Sequence, residues 1–110
     1  MLVIKTNKLI IVQLNILGMI KDYCSYFVER DATFIMSEDR IHQICDMISK
    51  QNPNIICLQE VDEIALKIFK TKFEKFQTFH TFHSNRKDGI LIMVNANDNI
   101  DIISNEVLSI

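Results

Sequence analysis

The residues best placed to do chemistry are Asn15, Gln59 and Glu60, because they stand just beyond two apolar runs. Leu9-Ile10-Ile11-Val12 leads through Gln13-Leu14 to Asn15, and Asn54-Ile55-Ile56-Cys57-Leu58 leads to Gln59-Glu60. A carboxylate and amides at strand ends can meet a ligand that carries oxygens or a cation. In open α/β sheets the carboxyl edge of the strands is where ligands bind. The bland alternatives are a solvated acid favoured by the next helix's dipole for Glu60 and a turn residue for Asn15. Other candidates are weaker. His42, His80, His83, Cys24 and Cys57 fit no zinc spacing, and His80 and His83 fall on opposite faces of an extended segment, so surface histidines are the simpler reading. Phe76, Phe79 and Phe82 suggest base stacking less than packing beneath a sheet, with room for one exposed ring. Arg86 and Lys87 are a basic pair on a turn, able to meet a phosphate but ordinary as solvated charge.

The elements that must position these groups follow from periodicity. Leu9–Val12 is a run suited to a strand covered on both faces, with Gly18 as a breaker, and Met19 to Met36 shows no period. Ser37 can cap a helix whose first turn carries Glu38 and Asp39. Ile41, Ile44, Cys45 and Ile48 then trace one apolar stripe, and Asn52-Pro53 stops it. A strand over Asn54–Leu58 follows, so strand, helix and strand predict a right-handed crossover between parallel strands. A second helix is expected from Asp62, its cap, to Lys75, with Ile64, Ala65, Ile68, Phe69, Phe73 and Phe76 inward. Gln77–Ser84 reads as extended, Asn85–Gly89 as a turn with an Asp-Gly hairpin signal, and Ile90–Val94 as a third buried strand. Asn95–Asn99 turns again and Ile100–Ser104 opens another strand. The class is therefore α/β: mixed strands with at least two helices on one face.

Composition bounds the partners. A hydrophobic share of 48% is globular, and 2 Gly and 1 Pro leave no linker, so one domain or part of one is expected. The net charge of −2 argues against a broad electrostatic grip on nucleic acid, though not against local phosphate binding through a metal. Cys24, Cys45 and Cys57 form no disulfide framework, which favours an intracellular, cytoplasmic setting. The apolar stretch Leu9–Ile20 behind Lys5 and Lys8 imitates a signal peptide, but Gln13 and Asn15 interrupt it, and it is too short to span a membrane. The closing run Val107-Leu108-Ser109-Ile110 is unusually apolar for a domain end and suggests unpaired strand edges in want of a covering segment.

Taken together, Gln13-Leu14-Asn15-Ile16-Leu17, Arg40 opening a helix, Cys57-Leu58-Gln59-Glu60-Val61-Asp62 and Arg86-Lys87-Asp88-Gly89-Ile90-Leu91-Ile92 resemble the endonuclease/exonuclease/phosphatase superfamily, on the side of its nocturnin/angel deadenylase-like branch. The likeness runs from about Leu9 to Leu108, with Gln13 and Leu14 standing where relatives carry Ser-Tyr or an aromatic. It implies the N-terminal half of a four-layer α/β sandwich, with residues 1–110 as a partial domain missing its C-terminal half. It further implies a Mg²⁺-dependent phosphodiesterase acting on RNA as a 3′-exonuclease. Glu60 would bind the metal, and Asn15 would orient the phosphate or the metal's outer shell. Arg40 would take a structural role bracing the carboxylates. The family's later Asp-x-Asn and Ser-Asp-His motifs do not occur: Asp98 and Asp101 lack the neighbours, and His80 and His83 come too early. The chain is therefore expected to be inactive alone. The alternatives are a non-enzymatic module that pairs through an exposed strand edge, or one half of a two-chain enzyme.

Overall fold

The computed structural model describes residues 1–17, 38–83, 87–96, 98, 100 and 102. The expectations for Gly18, Met19–Met36 with Cys24, the Ser37 cap, Asn85, Arg86 and the closing run from Val107 lie outside them, as does most of the strand expected over Ile100–Ser104. Among the described residues, five strands form one mixed sheet: β1 (Leu2–Lys5), β2 (Ile10–Asn15), β3 (Ile55–Asp62), β4 (Phe76–Phe82) and β5 (Asp88–Asn95), in the order β1-β2-β3-β5-β4. Helix α1 (Glu38–Ser49) links β2 to β3, and α2 (Glu63–Lys72) links β3 to β4. The fold is α/β, with two helices on one face of the sheet.

The crossover is as the apolar spacing predicts. β2 and β3 are parallel, Ile11 opposite Ile55 and Asn15 opposite Gln59, with α1 between them in the chain. Ile41, Cys45 and Ile48 of α1 are buried, and they meet Val12, Ile56, Leu58, Leu91 and Met93 from alternate positions of three strands. Helix α2 adds Ala65, Leu66 and Phe69, and Phe73 closes the core behind them. Asp62 does cap α2: its Oδ1 accepts from the Ala65 backbone N–H at 2.8 Å. The helix is shorter than expected, ending at Lys72, because Phe73 leaves helical dihedrals (φ −116°, ψ 49°) while its N–H still bonds the Phe69 carbonyl.

Four expectations need correction. First, β1 had no counterpart in the sequence reading; Leu2–Lys5 pairs antiparallel with β2, and the Thr6 hydroxyl oxygen accepts from Leu9 N–H at 2.9 Å to close the turn. Second, β3 does not stop at Leu58 but runs to Asp62 through a register shift between Leu58 and Val61. Third, Asp88 and Gly89 are not turn residues; they open β5, opposite Asp62 and Val61 on one side, and Gly89 lies opposite Phe82 on the other. Fourth, β5, expected over Ile90–Val94 as a buried strand, is buried on one face, and of the Leu9–Val12 run, expected to be covered on both faces, Val12 is buried and the other three are half-buried. Leu2 and Ile4 of β1, with Ile90 (50% exposed) and Ile92 (39%) of β5, lie on the face away from the helices. An unbroken apolar run marks a buried strand but does not count its layers.

The core also fixes the chemistry of Cys45. Burial pushes its thiol from 9.0 up to about 12, with Lys72 opposing weakly. Between those values the unfolded chain has released the proton and the folded chain has not, so stability falls as pH rises through that window. We expect Cys45 to resist alkylation at mildly alkaline pH in the folded chain and to react on unfolding. Peptide mass mapping after iodoacetamide would show it, and equal labelling in both states would refute it.

Candidate functional site

The carboxyl ends of β2 and β3 bring Asn15 and Glu60 to one edge of the sheet. Asn15 and Gln59 are neighbours across the parallel ladder, and the Ile16 N–H donates to the Gln59 carbonyl at 3.0 Å. Glu60, half-buried, stands next in the chain inside the register shift, where one extra residue of β3 is accommodated against β5.

Backbone strain gathers at this edge. Among the described residues three non-glycines have positive φ: Leu17 (46°), Asn52 (50°) and Glu60 (55°). Asn52 follows the end of α1, a usual place for asparagine in that conformation. Leu17 and Glu60 have no such excuse, since a left-handed backbone costs a residue with a Cβ roughly 1–2 kcal/mol. Leu17 is held there by hydrogen bonds. The Asn15 Oδ1 accepts from the Leu17 N–H at 3.0 Å, and the Arg40 guanidinium donates to the Ile16 carbonyl at 2.6 Å and to the Leu17 carbonyl. Burial pulls the Arg40 guanidinium below its ordinary value, and the charge of Asp62 partly restores it. Through these two carbonyls Arg40 clamps the end of β2.

Two further residues, Gln13 and Asp88, belong to this edge. The Gln13 side-chain amide donates to Gln59 Oε1 at 2.5 Å, on the face away from the helices. The signal was available: Gln13 and Gln59 are the first polar residues after two apolar runs, two ladder positions apart. Asp88, nearly buried at 3% exposure, lies opposite Asp62 across the β3–β5 ladder. Nothing local in the sequence marks Asp88 as buried, because its Asp-Gly context reads as a turn.

Of the weaker candidates, His83 reaches the same end of the sheet, its backbone N–H donating to the Asp88 carbonyl at 2.8 Å. His80 and His83 are exposed, and Phe76 and Phe82 share the helix side of β4 while Phe79 lies on the other. Phe76 packs on the core and Phe82 is the exposed ring. Lys87 is exposed. A cavity of about 310 Å³ opens at the opposite end of the sheet, between Pro53, Asn54, Phe73, Phe76, Asn95 and Asp98, away from Asn15 and Glu60. Among the described residues, no group of three or more His, Cys, Asp and Glu side chains could hold a metal ion, and no helix is long and apolar enough to cross a membrane.

The chain matches no protein-family model and no curated protein. Asp62 caps α2 and Asp88 is buried opposite it, so Glu60 is the more accessible carboxylate and Asn15 the exposed amide at this end of the sheet. One hard oxygen donor with an amide beside it fits Mg²⁺, which keeps several waters and takes one or two protein carboxylates plus substrate oxygens. It does not fit a metal that needs a full protein cage.

Proposed function

We propose that this chain carries one half of the active edge of a Mg²⁺-dependent phosphodiesterase of the endonuclease/exonuclease/phosphatase kind, with RNA as substrate and the cytoplasm as its setting. The observation that carries the reading is the left-handed Glu60 in a β-bulge beside Asn15. Glycine would be free of strain at that position, so a carboxylate held there at a cost points to use. Glu60 would hold the metal, which when bound supplies charge neutralisation on a phosphate and an acidified water. The amide nitrogen of Asn15 would donate to a phosphate oxygen, its carbonyl oxygen being engaged by Leu17. Arg40 keeps the end of β2 in place.

The sequence contains neither the Asp-x-Asn nor the Ser-Asp-His element that would position water and grip the phosphate. A second chain or segment supplying them is part of the proposal. The exposed Leu2, Ile4, Ile90 and Ile92 support it, since sheets stack face to face through such residues.

The test has two readouts on the 110-residue chain. Titration with Mg²⁺, followed by amide NMR shifts, should move Asn15 and Glu60 weakly, and Glu60→Gln should abolish the response; silence at both residues in the wild type defeats the reading. A labelled oligoadenylate should survive incubation with the chain and Mg²⁺. Cleavage lost in Glu60→Gln would show instead that the half-site suffices. Glu60→Gly should raise stability by about 1 kcal/mol by relieving the backbone while losing the Mg²⁺ response.

A further inference from the structure

The sheet has two edges among its described strands, and they are built differently. β1 is four residues long and ends in Lys5, with Lys8 in the turn that follows. Short length and lysines are the means by which edges avoid pairing with other chains. β4 has neither. Its seven residues, Phe76-Gln77-Thr78-Phe79-His80-Thr81-Phe82, include no Lys, Arg, Asp, Glu, Pro or Gly. β-branched and aromatic residues dominate it, as in strands that pair readily.

The ladder shows which backbone groups β4 turns outward. Directly opposed residues bond at both of its ends: His83 N–H donates to the Asp88 carbonyl at 2.8 Å, and Ala96 N–H donates to the Lys75 carbonyl at 3.2 Å. Hydrogen-bonded positions alternate along an antiparallel pair. The odd-numbered residues Gln77, Phe79 and Thr81 therefore spend their backbone groups on Val94, Ile92 and Ile90 of β5. The even-numbered Phe76, Thr78, His80 and Phe82 direct theirs away from the sheet.

That outward row is self-complementary. Reversing the strand about Phe79 sets Phe76 against Phe82 and Thr78 against His80, each an outward residue facing an outward residue. Gln77 then faces Thr81, and Phe79 faces its own copy. Side chains match as well as backbone: the exposed Phe82 meets Phe76 on the helix side, extending the aromatic cluster of Phe76 and Phe73, whose rings already meet edge to face at 5.3 Å. No charged side chain of β4 is brought against a like charge.

We propose that β4 is a homodimerisation edge, in which two copies of this chain pair antiparallel about a two-fold axis at Phe79 and join their sheets into one. Such a contact is isologous and closes on itself, so it makes dimers and not fibres. It is independent of the reading of Glu60, which lies on β3.

Sedimentation of the intact chain over a concentration series should show a species of twice the 12.8 kDa monomer growing with concentration. Thr78→Pro removes one outward N–H without touching the bonds to β5, so it should weaken the dimer at least tenfold while leaving the monomer folded. The register has its own test. Phe79 falls at a non-hydrogen-bonded pair on the axis, where Cα atoms approach to about 4.5 Å, within disulfide range. Phe79→Cys should give an interchain disulfide under mild oxidation, whereas Thr81→Cys, facing Gln77, should not, with the wild type as control for the native thiols. A monomer at every concentration, a dimer indifferent to Thr78→Pro in a folded variant, or cross-linking by Thr81→Cys as readily as by Phe79→Cys each overturns the proposal.

Discussion

Replacing Gly89 with alanine is expected to cost at least about 3 kcal/mol, beyond the common range for overpacking, because the atoms in the way are backbone. A Cβ built on Gly89 would sit 1.9 Å from the Thr81 carbonyl oxygen and 2.7 Å from the Phe82 Cα. A side chain could rotate aside, but moving these atoms means parting β4 from β5. Gly89 is one of only 2 glycines in the chain, and its φ is not in the left-handed region, so the requirement is space and not backbone freedom. Asparagine, which tolerates left-handed backbone, should rescue nothing, and Gly89→Asn should be as damaging as Gly89→Ala. Urea unfolding followed by far-UV circular dichroism decides it; a change within 0.5 kcal/mol of zero, the ordinary scatter of surface substitutions, would mean that the two strands are not so close.

Phe69→Ala should cost about 3–5 kcal/mol, the range for truncating a buried aromatic. Phe69 is 0% exposed and is the largest of the side chains wholly removed from solvent. It lies where α2 meets the sheet, its ring stacked on Phe73 at 6.0 Å and 12°. Alanine would leave a void under both helices, since α1 and α2 share the one core. Against a total stability of roughly 5–15 kcal/mol, such a loss threatens folding itself. Phe69→Leu, nearer in volume, should cost about 1.5 kcal/mol. Thermal and urea melts of the pair of variants give the comparison. Equal losses for Leu and Ala would show that ring stacking, and not filled volume, is what Phe69 supplies.

The parts of the fold legible in the sequence were those with a sustained period. Ile41, Ile44, Cys45 and Ile48 announce the buried side of α1 because four positions repeat a helical spacing. The Asp62 cap was legible because a short acid before an apolar run has few other roles. β1 was missed for the opposite reason: Leu2–Lys5 is too brief for a period, and Thr6-Asn7-Lys8 turns without Gly or Pro. Asp88-Gly89 misled because the same dipeptide serves tight turns and tight strand approaches, and only the partner strand tells them apart. At the candidate site, the approach of Asn15 to the Glu60 segment followed from the parallel pairing of two apolar runs. The left-handed backbone at Leu17 and Glu60, the clamp by Arg40 and the burial of Asp88 did not, since each arises from contacts between distant segments.

Between Asp62 and Glu63 the last residue of β3 gives way to the first of α2 with no loop residue between them. That junction has no slack to absorb an error in length. Removing a single residue there would turn α2 by about 100°, setting Lys67 and Lys70 where Leu66 and Phe69 now face the core. The bulge at Glu60 lies two residues upstream and is the nearest place where one residue can be gained or lost. The strained glutamate thus doubles as the phase adjuster of the helix that follows it, and a deletion that straightens β3 would be felt first as a rotation of α2.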